Sequence, residues 1–134
     1  MDADRLVKGA YMSAKILVVD DEIVTRNNIG RFLRNEGHEV IVGANGFEAL
    51  ELLAKEKFEI VIADFVMPHF DGFRLIEIVR TRWPNTSILL MTGYLSEAAG
   101  RTILAGKAEV ITKPIDLTRM LGIIGQMLAS QHRH

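Results

Sequence analysis

Asp20, Asp21, Asp64, Thr92 and Lys113 are the residues of this chain whose types and settings could do chemistry together. Asp64 closes the apolar run Ile60-Val61-Ile62-Ala63 and leads into Phe65-Val66-Met67-Pro68 and Asp71-Gly72. A β-branched run that stops at an acid and passes into Pro and Asp-Gly predicts a buried strand delivering a carboxylate to a loop. Three other apolar runs finish in the same manner, at Asp20-Asp21, at Thr92 and at Lys113. Parallel strands would gather these ends at one sheet edge, where open α/β sheets bind ligands. Three carboxylates at close range repel unless a cation or proton intervenes. Hard oxygen donors without His or Cys nearby suit Mg²⁺, which takes few protein ligands and keeps waters and phosphate oxygens. Lys113 adds a compact positive charge for a phosphate oxygen, and Thr92 a hydroxyl for another. Asp64 then reads as a nucleophile that accepts a phosphoryl group as a mixed anhydride.

Each piece has a plainer reading when taken alone. Asp20-Asp21 before a helix is an N-cap with acids favoured by the helix dipole. Thr92-Gly93 is a turn, and Lys113-Pro114 is a strand terminus whose peptide bond is a candidate for the cis form. His38 and His69 read as solvent-facing rather than as ligands, since no partner stands at metal spacing. What carries weight is the ordered set at four strand ends.

The elements that must position this set alternate from Lys15 onward. Strands are expected at Ile16-Leu17-Val18-Val19, Val40-Ile41-Val42, Ile60-Val61-Ile62-Ala63, Ser87-Ile88-Leu89-Leu90-Met91 and Glu109-Val110-Ile111-Thr112. The helices between them bury Ile29, Phe32 and Leu33, then Ala49, Leu50 and Leu53, then Phe73, Ile76, Ile78 and Val79. Gly37 stops the first, Asn45-Gly46 opens the second and Trp83-Pro84 closes the third. A fourth helix over residues 96–105 contains Gly100 and little apolar surface, which makes it the loosest element expected. Asp116 caps a last helix with Leu117, Met120, Leu121, Ile124 and Leu128 inward. Five strands and five helices in alternation predict a parallel sheet covered on both faces.

The 134 residues suffice for one domain with a single core. Sixteen basic and 17 acidic side chains leave a net charge of −1, so no global field favours nucleic acid or an anionic membrane. With no cysteine, disulfides, thiolate metal sites and cysteine nucleophiles are excluded together. No apolar stretch approaches the ~18 residues of a membrane helix. Residues 1–13 read as an extension outside the fold, with a natural start at Met12. Acids stand there where a signal peptide needs positive charge, which makes the cytoplasm the expected location. The folded unit is expected over residues 14–131 and a short tail over 132–134, with no output domain in this chain.

In order and spacing the motifs resemble the receiver domain of bacterial two-component response regulators, of the chemotaxis-regulator kind. They are Lys15-Ile16-Leu17-Val18-Val19-Asp20-Asp21-Glu22, Asp64 with Met67-Pro68 and Asp71-Gly72, Met91-Thr92-Gly93, and Thr112-Lys113-Pro114. The resemblance implies a flavodoxin-like, doubly wound fold of strand order 2-1-3-4-5 and a phospho-aspartate at Asp64. It also implies Mg²⁺ held by Asp21, Asp64 and the Val66 carbonyl, with Asp20 acting through water and Thr92 and Lys113 on the phosphoryl group. The implied donor is a sensor histidine kinase or a histidine phosphotransfer protein. Such a chain is a phosphoacceptor and not an enzyme on other substrates. Its target is a downstream protein or output domain, contacted by the face of the fourth helix, fifth strand and fifth helix. A phosphorylation-dependent homodimer is an assembly open to it.

Two positions depart from the family. Val110 stands where relatives usually carry Tyr or Phe three residues before the lysine. Val66 stands where many have a polar side chain that helps place the attacking water. Tyr94, two residues after Thr92, is the nearest aromatic in sequence able to respond, so Thr92, Tyr94 and Val110 are the candidate switch residues. The rival readings are a receiver-like interaction module that takes no phosphate and a Mg²⁺-dependent phosphohydrolase. The intact set of Asp20, Asp21, Asp64, Thr92 and Lys113 argues against the first. The second lacks an acid two residues after Asp64, where Val66 stands, and has no substrate-closing insertion.

Overall fold

Lys15–Val19 (β1) has the sequence KILVV and is buried along its last four residues, as a strand covered on both faces must be. It belongs to a computed structural model that describes residues 13–93, 100–101, 105–106 and 108–131. Glu39–Gly43 (β2), Ile60–Asp64 (β3), Ser87–Thr92 (β4) and Glu109–Thr112 (β5) complete a five-stranded sheet of order β2-β1-β3-β4-β5. All its pairings are parallel. The alternation of elements predicts such a parallel sheet, and its order is the doubly wound one that the family resemblance implies. Four helices lie among the described residues: Ile23–Asn35 (α1), Gly46–Lys55 (α2), Gly72–Arg82 (α3) and Leu117–Gln131 (α4). The helix expected over residues 96–105 falls mostly outside the described residues.

Strand periodicity sorts the core into two layers. Ile16, Val18, Ile60, Ile62, Leu89, Met91 and Ile111 face α1 and α4, where Ile29, Leu33, Met120, Ile124 and Leu128 meet them. Leu17, Val19, Val61, Ala63, Ile88 and Leu90 face α2 and α3, meeting Ala49, Leu53, Leu75, Ile76 and Val79. Each fully buried aliphatic side chain contributes roughly 1.5–3 kcal/mol relative to exposure. β3, central and buried at all five residues, is the most enclosed strand. Its place fixes where Asp64 must stand.

The helix ends follow local chemistry. Gly37, at φ +98°, ends α1, with its N–H donating to Arg34 O at 3.0 Å and that of His38 to Leu33 O at 3.1 Å. Asn45 Oδ1 accepts from Glu48 N at 2.9 Å and starts α2. Asp71 Oδ1 accepts from Phe73 N at 2.9 Å, and Asp116 Oδ1 from Arg119 N at 3.1 Å. Asp20 and Asp21 do not cap α1: Glu22 occupies that position and makes no side-chain capping bond. His38 also departs from expectation. It is half-buried and its Nδ1 accepts the Ala14 N–H at 3.1 Å, because it lies where the chain enters β2 beside β1. His69 is exposed, as expected.

Candidate functional site

Strand register decides which side chains meet. Val19 pairs with Ala63, Asp64 with Met91, and Thr92 with Thr112. One residue beyond these pairs come Asp20 and Lys113, so the acids, the threonine and the lysine share the carboxyl edge. The ladder continues past the strands through Phe65 N to Met91 O at 2.8 Å and Lys113 N to Thr92 O at 2.7 Å. That extension holds the side chains on backbone that is itself paired. The Lys113–Pro114 bond is cis.

Asp20, Asp21 and Asp64 each offer a carboxylate oxygen within 4.8 Å of the others. Lys113 Nζ lies 2.9 Å from Asp64 Oδ2 and 4.0 Å from Asp20 Oδ2. Asp64 Oδ1 accepts from Val66 N at 3.1 Å, which turns the chain immediately after the strand. Asp20 is 1% exposed, and its Oδ1 accepts from Glu22 N at 2.9 Å. Its Oδ2 is buried and makes no hydrogen bond. Burial raises the Asp20 pKa above the ordinary carboxylate value; the negative charges of Asp64 and Asp21 add to this, against the Glu22 N–H and Lys113. For Lys113 burial acts downward, but the hydrogen bond and charge of Asp64, with Asp20 and Glu22, raise its pKa overall.

A buried carboxylate with one oxygen left without a hydrogen bond, beside two further carboxylates, is a fitting donor set for a hard divalent cation. One lysine cannot balance three acids. Thr92 is buried at the end of β4, next in register to the strand that carries Lys113. Val66 is 73% exposed beside the opening. Val110, half-buried on β5, packs against the layer facing α2 and α3. Tyr94, the third candidate switch residue, lies outside the described residues.

Several participants carry no sequence signature. Arg26 Nη1, on α1, donates to Asp20 O at 3.1 Å and steadies the backbone under the acids. After Asp64, Val66–Met67 and Phe70–Asp71 form a small antiparallel ladder turning at His69, whose φ is +61°. Phe70 lies edge-on to Phe47 with ring centroids 4.9 Å apart, and Phe65 meets Phe73 in the same way at 4.9 Å. A Cβ at position 46 would fall 2.3 Å from the Phe70 ring, and one at position 72 would fall 2.5 Å from Phe65 O. Glycine at both positions is therefore what lets the loop after Asp64 close over α2 and α3.

The response regulator receiver domain family matches residues 16–125. The chain belongs to this family. Response regulator protein FleR of Pseudomonas aeruginosa is 34% identical over 121 residues, which cover 90% of this chain and 26% of that protein. An uncharacterized 14.6 kDa protein of Leptolyngbya boryana is 35% identical over 114 residues, or 83% of this chain and 87% of that one. The crystal structure of a CheY-like receiver domain protein from Methanospirillum hungatei superposes with a TM-score of 0.85 at 28% identity. It covers 90% of this chain and 98% of that one. The chain spans about a quarter of the length of FleR. As a receiver domain of two-component systems it has the fold its motifs implied.

Proposed function

We propose that Asp64 accepts a phosphoryl group from a phosphohistidine of a sensor histidine kinase or a histidine phosphotransfer protein, and that the resulting rearrangement controls a partner protein. The observation that carries this reading is the acid trio with Lys113 2.9 Å from Asp64, at the edge where parallel strands end. An Asp64 carboxylate oxygen attacks phosphorus, a P–O bond forms, the P–N bond breaks, and the imidazole leaves with a proton. Lys113, already placed against Asp64, exchanges its carboxylate contact for a phosphoryl oxygen. Thr92 offers its hydroxyl to another. Asp21, Asp64 and the Val66 carbonyl would hold Mg²⁺, with Asp20 acting through water; when bound, it supplies charge neutralisation for the phosphoryl oxygens. The chain acts only on itself and is not an enzyme on other substrates.

Labelling by acetyl phosphate with Mg²⁺ tests the assignment. Asp64→Asn should take no label, because an amide is no nucleophile at neutral pH; labelling at the wild-type rate would refute the acceptor role. Val66 offers no polar group to a hydrolytic water, so the phosphorylated state should be long-lived. In Val66→Gln the label should decay faster by about tenfold once acetyl phosphate is removed, as expected of a positioned water. An unchanged decay would show that position 66 does not govern water.

A further inference from the structure

Asp20 is held at all its polar atoms but one. Its N–H donates to Gly43 O at 3.2 Å, which carries the pairing of β1 with β2 one residue past the strands. Its Oδ1 accepts from Glu22 N at 2.9 Å, and its carbonyl accepts from Arg26 Nη1 at 3.1 Å. Oδ2 makes no hydrogen bond. The first two bonds use main-chain partners, which almost any sequence here would provide. The third depends on the residue that stands at position 26.

The Asp20 carbonyl belongs to the peptide that joins Asp20 to Asp21. Because that peptide is planar, a bond to its oxygen constrains ψ of Asp20 and φ of Asp21 together. Those torsions set how the two neighbouring carboxylates of the acid trio stand relative to each other. Asp21 is exposed, on the loop before α1, whereas Arg26 is half-buried at the end of that helix's first turn. Arg26 thus ties the helix to the peptide between two of the three acids. At the other end of α1 Arg34 makes the same kind of bond, from Nε and Nη2 to Val40 O at 3.2 and 2.8 Å. Both arginines satisfy a main-chain carbonyl. Only Arg26 does so beside the carboxylates.

We propose that Arg26 is a positioning residue for the divalent cation: through the Asp20 carbonyl it fixes Asp20 and Asp21 in the mutual orientation that binds the ion. This rests on the reading of the acid trio as the cation site. Charge and geometry make opposite predictions for its removal. A guanidinium repels a cation, so by charge alone the loss of Arg26 would tighten ion binding. Mg²⁺ demands near-ideal octahedral geometry, so loosening the carboxylates around it should weaken binding instead. Groups that orient metal ligands from behind are worth about 10–100-fold in affinity.

The experiment compares wild type with Arg26→Met, Arg26→Lys and Arg34→Met. Mn²⁺ binding is titrated by the loss of its free-ion electron paramagnetic resonance signal. Labelling by acetyl phosphate is followed in parallel across Mg²⁺ concentrations. Arg26→Met keeps an apolar stem without the donor and should bind Mn²⁺ about tenfold more weakly. Its half-saturating Mg²⁺ concentration in labelling should rise by the same factor, with the rate at saturating Mg²⁺ near that of the wild type. Arg26→Lys, which retains a donor of nearly the same reach, should recover most of the affinity. Arg34→Met loses a carbonyl bond on the same helix and should bind Mn²⁺ like the wild type. Should Arg26→Met fail to fold, Arg26→Gln, whose amide is too short to reach the carbonyl, is read in its place.

Unchanged Mn²⁺ binding in Arg26→Met overturns the proposal. Tighter binding also does, because Arg26 would then act only as a charge. An equal loss in Arg34→Met overturns it, since any loosening of α1 would suffice, and so does the absence of recovery in Arg26→Lys. A slower labelling at saturating Mg²⁺ with unchanged half-saturation would place Arg26 in the transfer step, against the proposal. A wild type that binds no Mn²⁺ refutes the cation site and this role with it. If the wild type binds Mn²⁺ but takes no label, Asp64 is not the acceptor, and the Mn²⁺ titrations alone decide on Arg26.

Discussion

Two lysines of this sheet each face two carboxylates, one pair of partners at either end. At the amino edge Lys15 Nζ contacts Glu56 and lies 3.4 Å from Glu39. At the carboxyl edge Lys113 Nζ contacts Asp64 and, farther off, Asp20. Both lysines have raised pKa values, Lys15 chiefly through its hydrogen bond with Glu56, Lys113 against an opposing effect of burial. The residue types are nearly the same, but the solvent around them is not. The side chains of Glu56 and Glu39 are 37% and 67% exposed, whereas those of Asp64 and Asp20 are 10% and 1% exposed. Water screens the first cluster and leaves it structurally mild, with the Lys15 ammonium also resting over the Phe58 ring at 5.4 Å. In the second, the Asp64 and Asp20 carboxylates are held where little water reaches them, although Lys113 itself is partly exposed, and an incoming anion or cation can change the balance.

Exchanging the lysines' roles in experiment should expose that contrast. Lys113→Ala leaves the acids facing one another, and labelling by acetyl phosphate should slow by about a hundredfold, the usual order for a lost electrostatic donor. Its stability without metal should fall by about 1 kcal/mol, a modest figure because Lys113 is itself partly exposed. Lys15→Ala should label at the wild-type rate with little change in melting temperature. Equal losses in the two variants would break the comparison.

The next effect is one of proton linkage. Folding raises the Asp20 pKa above its ordinary 3.8, so the folded form keeps a proton that the unfolded chain has lost. Between those two values stability falls as pH rises, and above the folded value the loss is complete. Metal-free wild type should therefore lose stability from acid toward neutral pH relative to Asp20→Asn, which lacks this step. At neutral pH Asp20→Asn should be the more stable by about 1 kcal/mol. Parallel melting curves for the two proteins across that range would show that Asp20 is already ionised without cost.

A shift of similar size comes from the cation. Mg²⁺ at tenfold its dissociation constant should stabilise the wild type by about 1.4 kcal/mol. Asp21→Ala should lose that gain, measured as the change in melting temperature on adding Mg²⁺. A retained response would remove Asp21 from the ligand set.

The comparison also explains what could be read in advance. Strand positions and the gathering of Asp20, Asp64, Thr92 and Lys113 at one edge were legible, because apolar runs are local signals that repeat along the chain, whereas the strand order came with the family resemblance. The difference between the carboxylates around Lys15 and those around Lys113 was not, since exposure is settled by packing of distant segments. Phe70 over Gly46 joins residues 24 apart in sequence through shape alone, and no periodicity announces it. The N-cap reading of Asp20-Asp21 failed for a related reason. A carboxylate that bonds the N–H two residues on looks, in sequence, the same as one that caps a helix. Met127, buried on α4 but missing from the expected inward set, shows that a helix face can be wider than a strict heptad seam.

At the amino edge, Gln131 Nε2 donates to Glu59 O at 2.8 Å and to Ser87 Oγ at 2.6 Å. The last turn of a helix ordinarily frays on its own, faster than the body it belongs to. Here that turn is riveted to the entrances of β3 and β4, so its amides should exchange with solvent on the slow clock of the sheet.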